Sequence, residues 1–221
     1  MSKILVGWIE LAKLNLLQLR KAIAREEFDH PLLASVLSPY QAVDQKINHL
    51  LKSGTILRVK KGLYVFGPDV RQFPVCKESL ANLIYGPSCI SLEYALAFHG
   101  LIPESVEIVT SVTPKRDKDF STPVGRFTYR YLSAGKYPHG IEQVWIDPLH
   151  PVLIASPEKA LCDYVVLNDV PTLNGKGAAR DFILLDLRIN EEDLYRFEVR
   201  KLLKLNSHYK SKNIVRIMEV L

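Results

Sequence analysis

An α+β fold in two parts is predicted for this 221-residue chain by three features. Several segments carry apolar residues at helical spacing between recognisable cap residues. Short runs of alternating or β-branched character lie between them and read as strands. Gly67-Pro68, followed by Pro74, interrupts the chain about a third of the way along. The predicted parts are residues 1–70 and 75–221, the second ending in a helical tail.

In chain order, Trp8, Leu11, Leu14, Leu17 and the run Leu19 to Ile23 predict one or two helices, and Leu32, Leu33, Val36 and Leu37 a short one. Ser38-Pro39 reads as the start of the next helix: a hydroxyl to cap free amides, then a ring whose fixed backbone angle suits the first helical position. Gly54 reads as its end. Within it Val43, Ile47, Leu50 and Leu51 make an apolar stripe to be buried. Gln45, Asn48 and Lys52 fall together with Gln41 on the opposite side, each within about 40° of Gln41 at 100° per residue.

Amide side chains can bond adenine N6 and N7 as a pair in the major groove, and lysine holds phosphate. A solvated helix face with ordinary polar residues is the plainer reading of the same pattern. The segment after Gly54 favours the first. Thr55 to Val59 reads as a strand, Lys60-Lys61-Gly62 as a turn with two cations at its tip, and Leu63 to Phe66 as the returning strand. Helix, short link and basic hairpin in succession predict a winged helix-turn-helix, with its helix in the major groove and its wing on neighbouring phosphates. Tyr40, Gln41, Gln45, Asn48, Lys52, Arg58, Lys60 and Lys61 are the candidate DNA-binding residues.

In the second part, Ala81 to Tyr85 reads as the end of a helix at Gly86-Pro87, and Ser91 to His99 as a helix closed by Gly100. Strands are predicted at 105–112, 126–132, 141–146 and 152–155. Ser156-Pro157-Glu158 starts a helix that runs through Val166. Asn174 to Gly177 reads as a loop, and the chain from Ala178 onward as helical.

Composition narrows the function classes. With 48% apolar and 24% charged residues, the chain can bury one large core or two small ones. No stretch approaches the roughly 18 unbroken apolar residues of a membrane span, and the run ILVGWI stops at Glu10, short of a secretory signal. A cytoplasmic location without a membrane partner is expected. Cys76, Cys89 and Cys162 are odd in number and lack any Cys-x-x-Cys pair, so they read as packed thiols, with neither a disulfide framework nor a zinc site. Of the net charge of +5, residues 1–70 hold 10 Lys+Arg against 6 Asp+Glu, an excess of 4. A second basic stretch lies between Arg196 and Arg216. Such patches attract phosphate backbones.

The blocks VKKGLYVFGP, CISLEYALAFHGLIPESVEIVTSV, GRFTYRYL and ASPEKALCDYVV, in this order, resemble the AbiEi family of antitoxins from type IV toxin-antitoxin, abortive-infection systems. Ser91, Ala95, His99 and Gly100 mark one block, and Ser156 to Leu161 with Asp163 another. The resemblance implies a winged helix that represses its own promoter at inverted repeats, and a second domain that counters a nucleotidyltransferase toxin without a stable complex. It carries over Gln41, Gln45, Asn48, Arg58, Lys60 and Lys61 as DNA contacts. It assigns no chemistry to the second domain's markers.

Those markers also have simpler readings. His99 fits a helix C-terminal cap, Glu158 a favourable first-turn carboxylate, and Lys159 with Asp163 an i,i+4 pair. A nuclease built on Glu93, Asp117 and Lys115 is the rival class, but the strand ending Thr113-Pro114-Lys115 has no carboxylate where metal chemistry needs one. Gly-x-Ser-x-Gly, Walker and dinucleotide fingerprints are absent from the sequence. No catalytic residue, metal or cofactor is therefore expected. A ligand-responsive repressor without a toxin partner is the remaining alternative.

Overall fold

A computed structural model describes residues 18–221, so the helix expected around Trp8, Leu11, Leu14 and Leu17 lies outside the described residues. The chain is a mixed α+β protein with two separate sheets. It divides into two compact units, with the boundary between Cys76 and Lys77.

In the first unit, helical residues 18–22 lead into strand β1 (Glu27–Asp29), helix α1 (His30–Val36) and helix α2 (Val43–Lys52). The hairpin of β2 (Ile56–Lys60) and β3 (Leu63–Phe66) comes next. Asp29 caps α1 by accepting a hydrogen bond from the Leu32 backbone amide at 2.9 Å, and Pro31 stands in the first turn, where no amide is needed. The sheet order is β1-β3-β2, both pairings antiparallel. The last strand in sequence is thus the central one, and all four of its residues are buried. Phe28, Leu33, Ile47, Ile56 and Phe66 form the heart of this core, with Val43, Leu50 and Leu51 packed against it.

Helix α2 starts at Val43 rather than at Ser38-Pro39. Leu37 closes α1 by donating its amide to Leu33, and the Ser38 and Tyr40 amides bond Ser35 and Leu37 in successive turns. A residue before proline is pushed out of the helical region, so Ser38-Pro39 ends one helix instead of opening the next. The other end agrees with the sequence: Gly54, at φ +72°, takes the left-handed turn after Ser53. Strand β1 has no signal in the sequence, because three residues are too few to show alternation.

The second unit contains α3 (Lys77–Ile84), β4 (Cys89–Ile90), α4 (Leu92–Phe98) and strands β5 (Val109–Thr113), β6 (Lys118–Thr122) and β7 (Gly125–Tyr131). Then come β8 (Ile141–Trp145), β9 (Pro151–Ala155) and α5 (Pro157–Leu167). Its six strands lie in the order β6-β7-β5-β4-β9-β8, with β4 parallel to β9 and β5 parallel to β7. The expected strand from 105 begins only at Val109, and the loop predicted over Asn174 to Gly177 instead opens helix α6 (Gly175–Asp181). A π-helical turn Phe182–Asp186, a 3-10 turn Glu191–Arg196, α7 (Val199–Tyr209) and α8 (Lys212–Met218) complete the chain. Cys76, Cys89 and Cys162 are all buried, and burial pushes the Cys89 and Cys162 thiols well above their ordinary range. Among the described residues, no helix is long and apolar enough to cross a membrane.

Candidate nucleic-acid interface

The first unit presents one face of α2 and the β2–β3 hairpin. Ile47, buried on α2, fixes the helix rotation, with Val43, Leu50 and Leu51 beside it against the core. That rotation leaves Gln45, Asn48 and Lys52 exposed. Gln41 is also exposed, but in the turn before the helix, so it does not share the helical face. Tyr40 lies partly buried against the core, with the Lys46 ammonium 5.3 Å from its ring centre. It supports the helix start from within.

His49, which sequence reasoning left out, belongs to the exposed face. At about 100° per residue it lies about 40° from Gln45, with Lys52 about 20° and Asn48 about 60° to the other side. It is solvent-exposed in the last helical turn. Taking Gln41 as the reference displaced the centre of the face; the i,i+4 spacing from Gln45 is the signal that finds His49.

The β2–β3 hairpin carries the basic residues of the sequence pattern. Arg58, Lys60 and Lys61 sit at its far end, with Gly62 turning the chain at φ +81°. The β2–β3 register is irregular between Arg58 and Lys60, a bulge that adds local twist. The Arg58 guanidinium lies 6.0 Å from the Tyr64 ring centre, and both Arg58 and Lys61 are exposed. The His30 amide donates to the Gly62 carbonyl at 2.9 Å, tying the start of α1 to the hairpin turn.

Glu26 holds the base of the unit. Its carboxylate meets Arg20 at 2.8 Å and accepts from the Gln72 and Phe73 amides at 3.0 and 3.1 Å. Arg20 in turn covers the Phe66 ring at 4.1 Å. Both partners are nearly inaccessible, so the pair is screened far less than a surface ion pair.

In the second unit, the residues of the rival nuclease reading each have a separate partner. Glu93 accepts from Asn168 at 2.9 Å, Asp117 from the Tyr131 amide at 2.6 Å, and Lys115 donates to the Gly86 carbonyl at 2.5 Å. Among the described residues, no group of three His, Cys, Asp or Glu side chains is placed to hold a metal ion. His99 is the C-terminal cap of α4, and its Nε2 lies 2.8 Å from the Ala155 carbonyl. Lys159 and Asp163 form the i,i+4 pair at 3.2 Å, but with both side chains fully buried. Compared with protein-family models the chain matches none, and no curated protein is similar to it at a significant level.

Proposed function

We propose that the chain is a DNA-binding autorepressor whose first unit is a winged helix-turn-helix module. The observation that carries this reading is the outward face of α2, Gln45, Asn48, His49 and Lys52, beside a lysine-tipped hairpin whose second strand is the centre of the sheet. The major groove admits a helix of this kind, and amides paired to adenine edges would read sequence there. Lys52, Arg58, Lys60 and Lys61 would contact phosphates and set register and orientation. Tyr40 packs against the core and Gln41 precedes the helix, so neither is assigned to the reading face.

The second unit is proposed to act as an antitoxin against a nucleotidyltransferase, without a stable complex with it. The sequence blocks that resemble AbiEi proteins support this half of the reading. Inverted repeats in the chain's own promoter are the proposed target.

A gel shift and footprint on the DNA upstream of the chain's own gene tests the first half, with the Lys60→Ala, Lys61→Ala double variant beside the parent. A protected inverted repeat that the variant loses is the expected outcome. Absence of sequence-preferring binding across a range of salt would refute it. Co-expression with a neighbouring nucleotidyltransferase gene tests the second half: growth restored only when this chain is present is expected.

A further inference from the structure

The sheet of the second unit ends in two edge strands, β6 and β8. Edge strands expose unpaired backbone groups, and proteins blunt them with lysine, proline or a bulge. β6 opens with Lys118 and Asp119, both exposed. β8 reads Ile141-Glu142-Gln143-Val144-Trp145, with neither lysine nor proline. Its register against β9 runs from Ile141 opposite Ala155 to Trp145 opposite Pro151 without a shift.

The ladder's own hydrogen bonds show which groups this edge offers. Ser156 donates its amide to the Gly140 carbonyl at 2.8 Å, and Ile146 donates to the His150 carbonyl at 3.0 Å. Bonded and non-bonded pairs alternate along an antiparallel ladder. Glu142 and Val144, in step with Gly140 and Ile146, therefore direct their backbone groups to β9, and Ile141, Gln143 and Trp145 direct theirs outward. The partner strand follows the same alternation. Leu153, opposite Gln143, turns its backbone groups away from β8, and there the Asn82 side chain meets them. Asn82 Oδ1 accepts from the Leu153 amide at 2.7 Å, and Nδ2 donates to the Leu153 carbonyl at 3.2 Å. Among the described residues, nothing does the same for Ile141, Gln143 and Trp145.

The side chains of β8 narrow the choice of partner. Ile141, Gln143 and Trp145 share one face of the sheet with Leu153 of β9. Trp145 is 61% exposed there, and Leu153 40%. A second copy of β8, laid antiparallel about a two-fold axis at Gln143, sets Ile141 opposite Trp145 of the other copy and Glu142 opposite its Val144. Outward-directed residues then face outward-directed residues, so each free amide meets a free carbonyl. Aromatic opposite aliphatic is a favourable cross-strand pair, and the two Gln143 side-chain amides can bond each other. An axis at Glu142 would place like charges directly opposite, which is destabilising. An axis at Val144 would leave Ile141 beyond the paired strand.

We propose that β8 is a self-pairing edge through which two copies of this chain join the sheets of their second units, with the two-fold axis at Gln143. The pairing rests on the second unit alone and stands apart from the DNA-binding reading. Sedimentation velocity of the full-length chain at about 100 µM should show a dimer. Gln143→Pro should sediment as a monomer with the circular dichroism of the parent, since the amide it removes bonds nothing within one copy and proline is tolerated on an edge strand. Should that variant fail to fold, Trp145→Lys alters only an exposed edge position and should weaken dimerisation at least tenfold. A monomeric parent, or a dimer that survives these substitutions, would overturn the proposal. Cross-linking tests the register. Gln143→Cys should form a disulfide-linked dimer on mild oxidation, because bonded antiparallel partners stand about 5.5 Å apart at Cα, within disulfide reach. The native cysteines are buried. Ile141→Cys, whose two copies would lie more than about 13 Å apart along the strands, should not. Equal cross-linking at both positions would overturn the axis at Gln143.

Discussion

Gln45 and His49 stand one helical turn apart on the exposed side of α2, while Lys60 and Lys61 sit at the hairpin tip. Under the proposed DNA-binding function, substitution should therefore separate reading from holding. Gln45→Ala should reduce discrimination at one operator position by about 1–3 kcal/mol while changing non-specific affinity little. Competition binding against single-base operator variants measures this, and an unchanged preference would remove Gln45 from the reading face. His49→Ala should alter preference at a neighbouring position, whereas Gln41→Ala should leave preference unaltered because Gln41 precedes the helix. Lys60→Ala with Lys61→Ala should weaken binding to all sequences alike. The slope of log affinity against log salt should fall by about one for each phosphate no longer held.

At the scale of elements, the hairpin depends on a close approach that no side chain permits. A Cβ placed on Gly67 would lie 1.8 Å from the Gly54 carbonyl oxygen, while the Gly67 amide donates to the Thr55 carbonyl at 2.8 Å. The glycine after β3 and the glycine after α2 are therefore packed backbone to backbone. Gly67→Ala should cost about 1–3 kcal/mol through overpacking, seen as a lower urea midpoint with unchanged slope. Elements with both periodicity and punctuation were legible in the sequence: the end of α2 at Gly54, the hairpin, and α5 behind Ser156-Pro157, where the Ser156 hydroxyl accepts from the Lys159 amide. Illegible were β1 and β4, of three and two residues, whose existence depends on partners distant in sequence. The start of α2 departs from expectation because Ser-Pro punctuates a helix end as readily as a start. The burial of Lys159 was hidden for a similar reason, since an i,i+4 pair looks the same on a wet surface and in a core.

For the whole molecule, the two units carry separate cores, one around Phe28, Ile47 and Phe66 and one around Ile90, Val112, Phe127 and Ile154. Residues 77–221 alone should therefore unfold cooperatively with denaturant, and a non-cooperative transition would show that this core is incomplete. In the first unit, β1 pairs with β3 across 38 positions, as Glu27 opposite Val65 shows. The central strand is the last to be synthesised. At roughly 5–20 residues per second, β1 waits about 2–8 s on the ribosome for its partner. A chain halted before Leu63 has no sheet against which Phe28 and Ile56 can pack, so a fragment of residues 1–60 should lack cooperative structure by circular dichroism. The proposed DNA-reading surface thus comes into being only once β3 has been made, and a message terminated before Leu63 would yield no fragment able to present it.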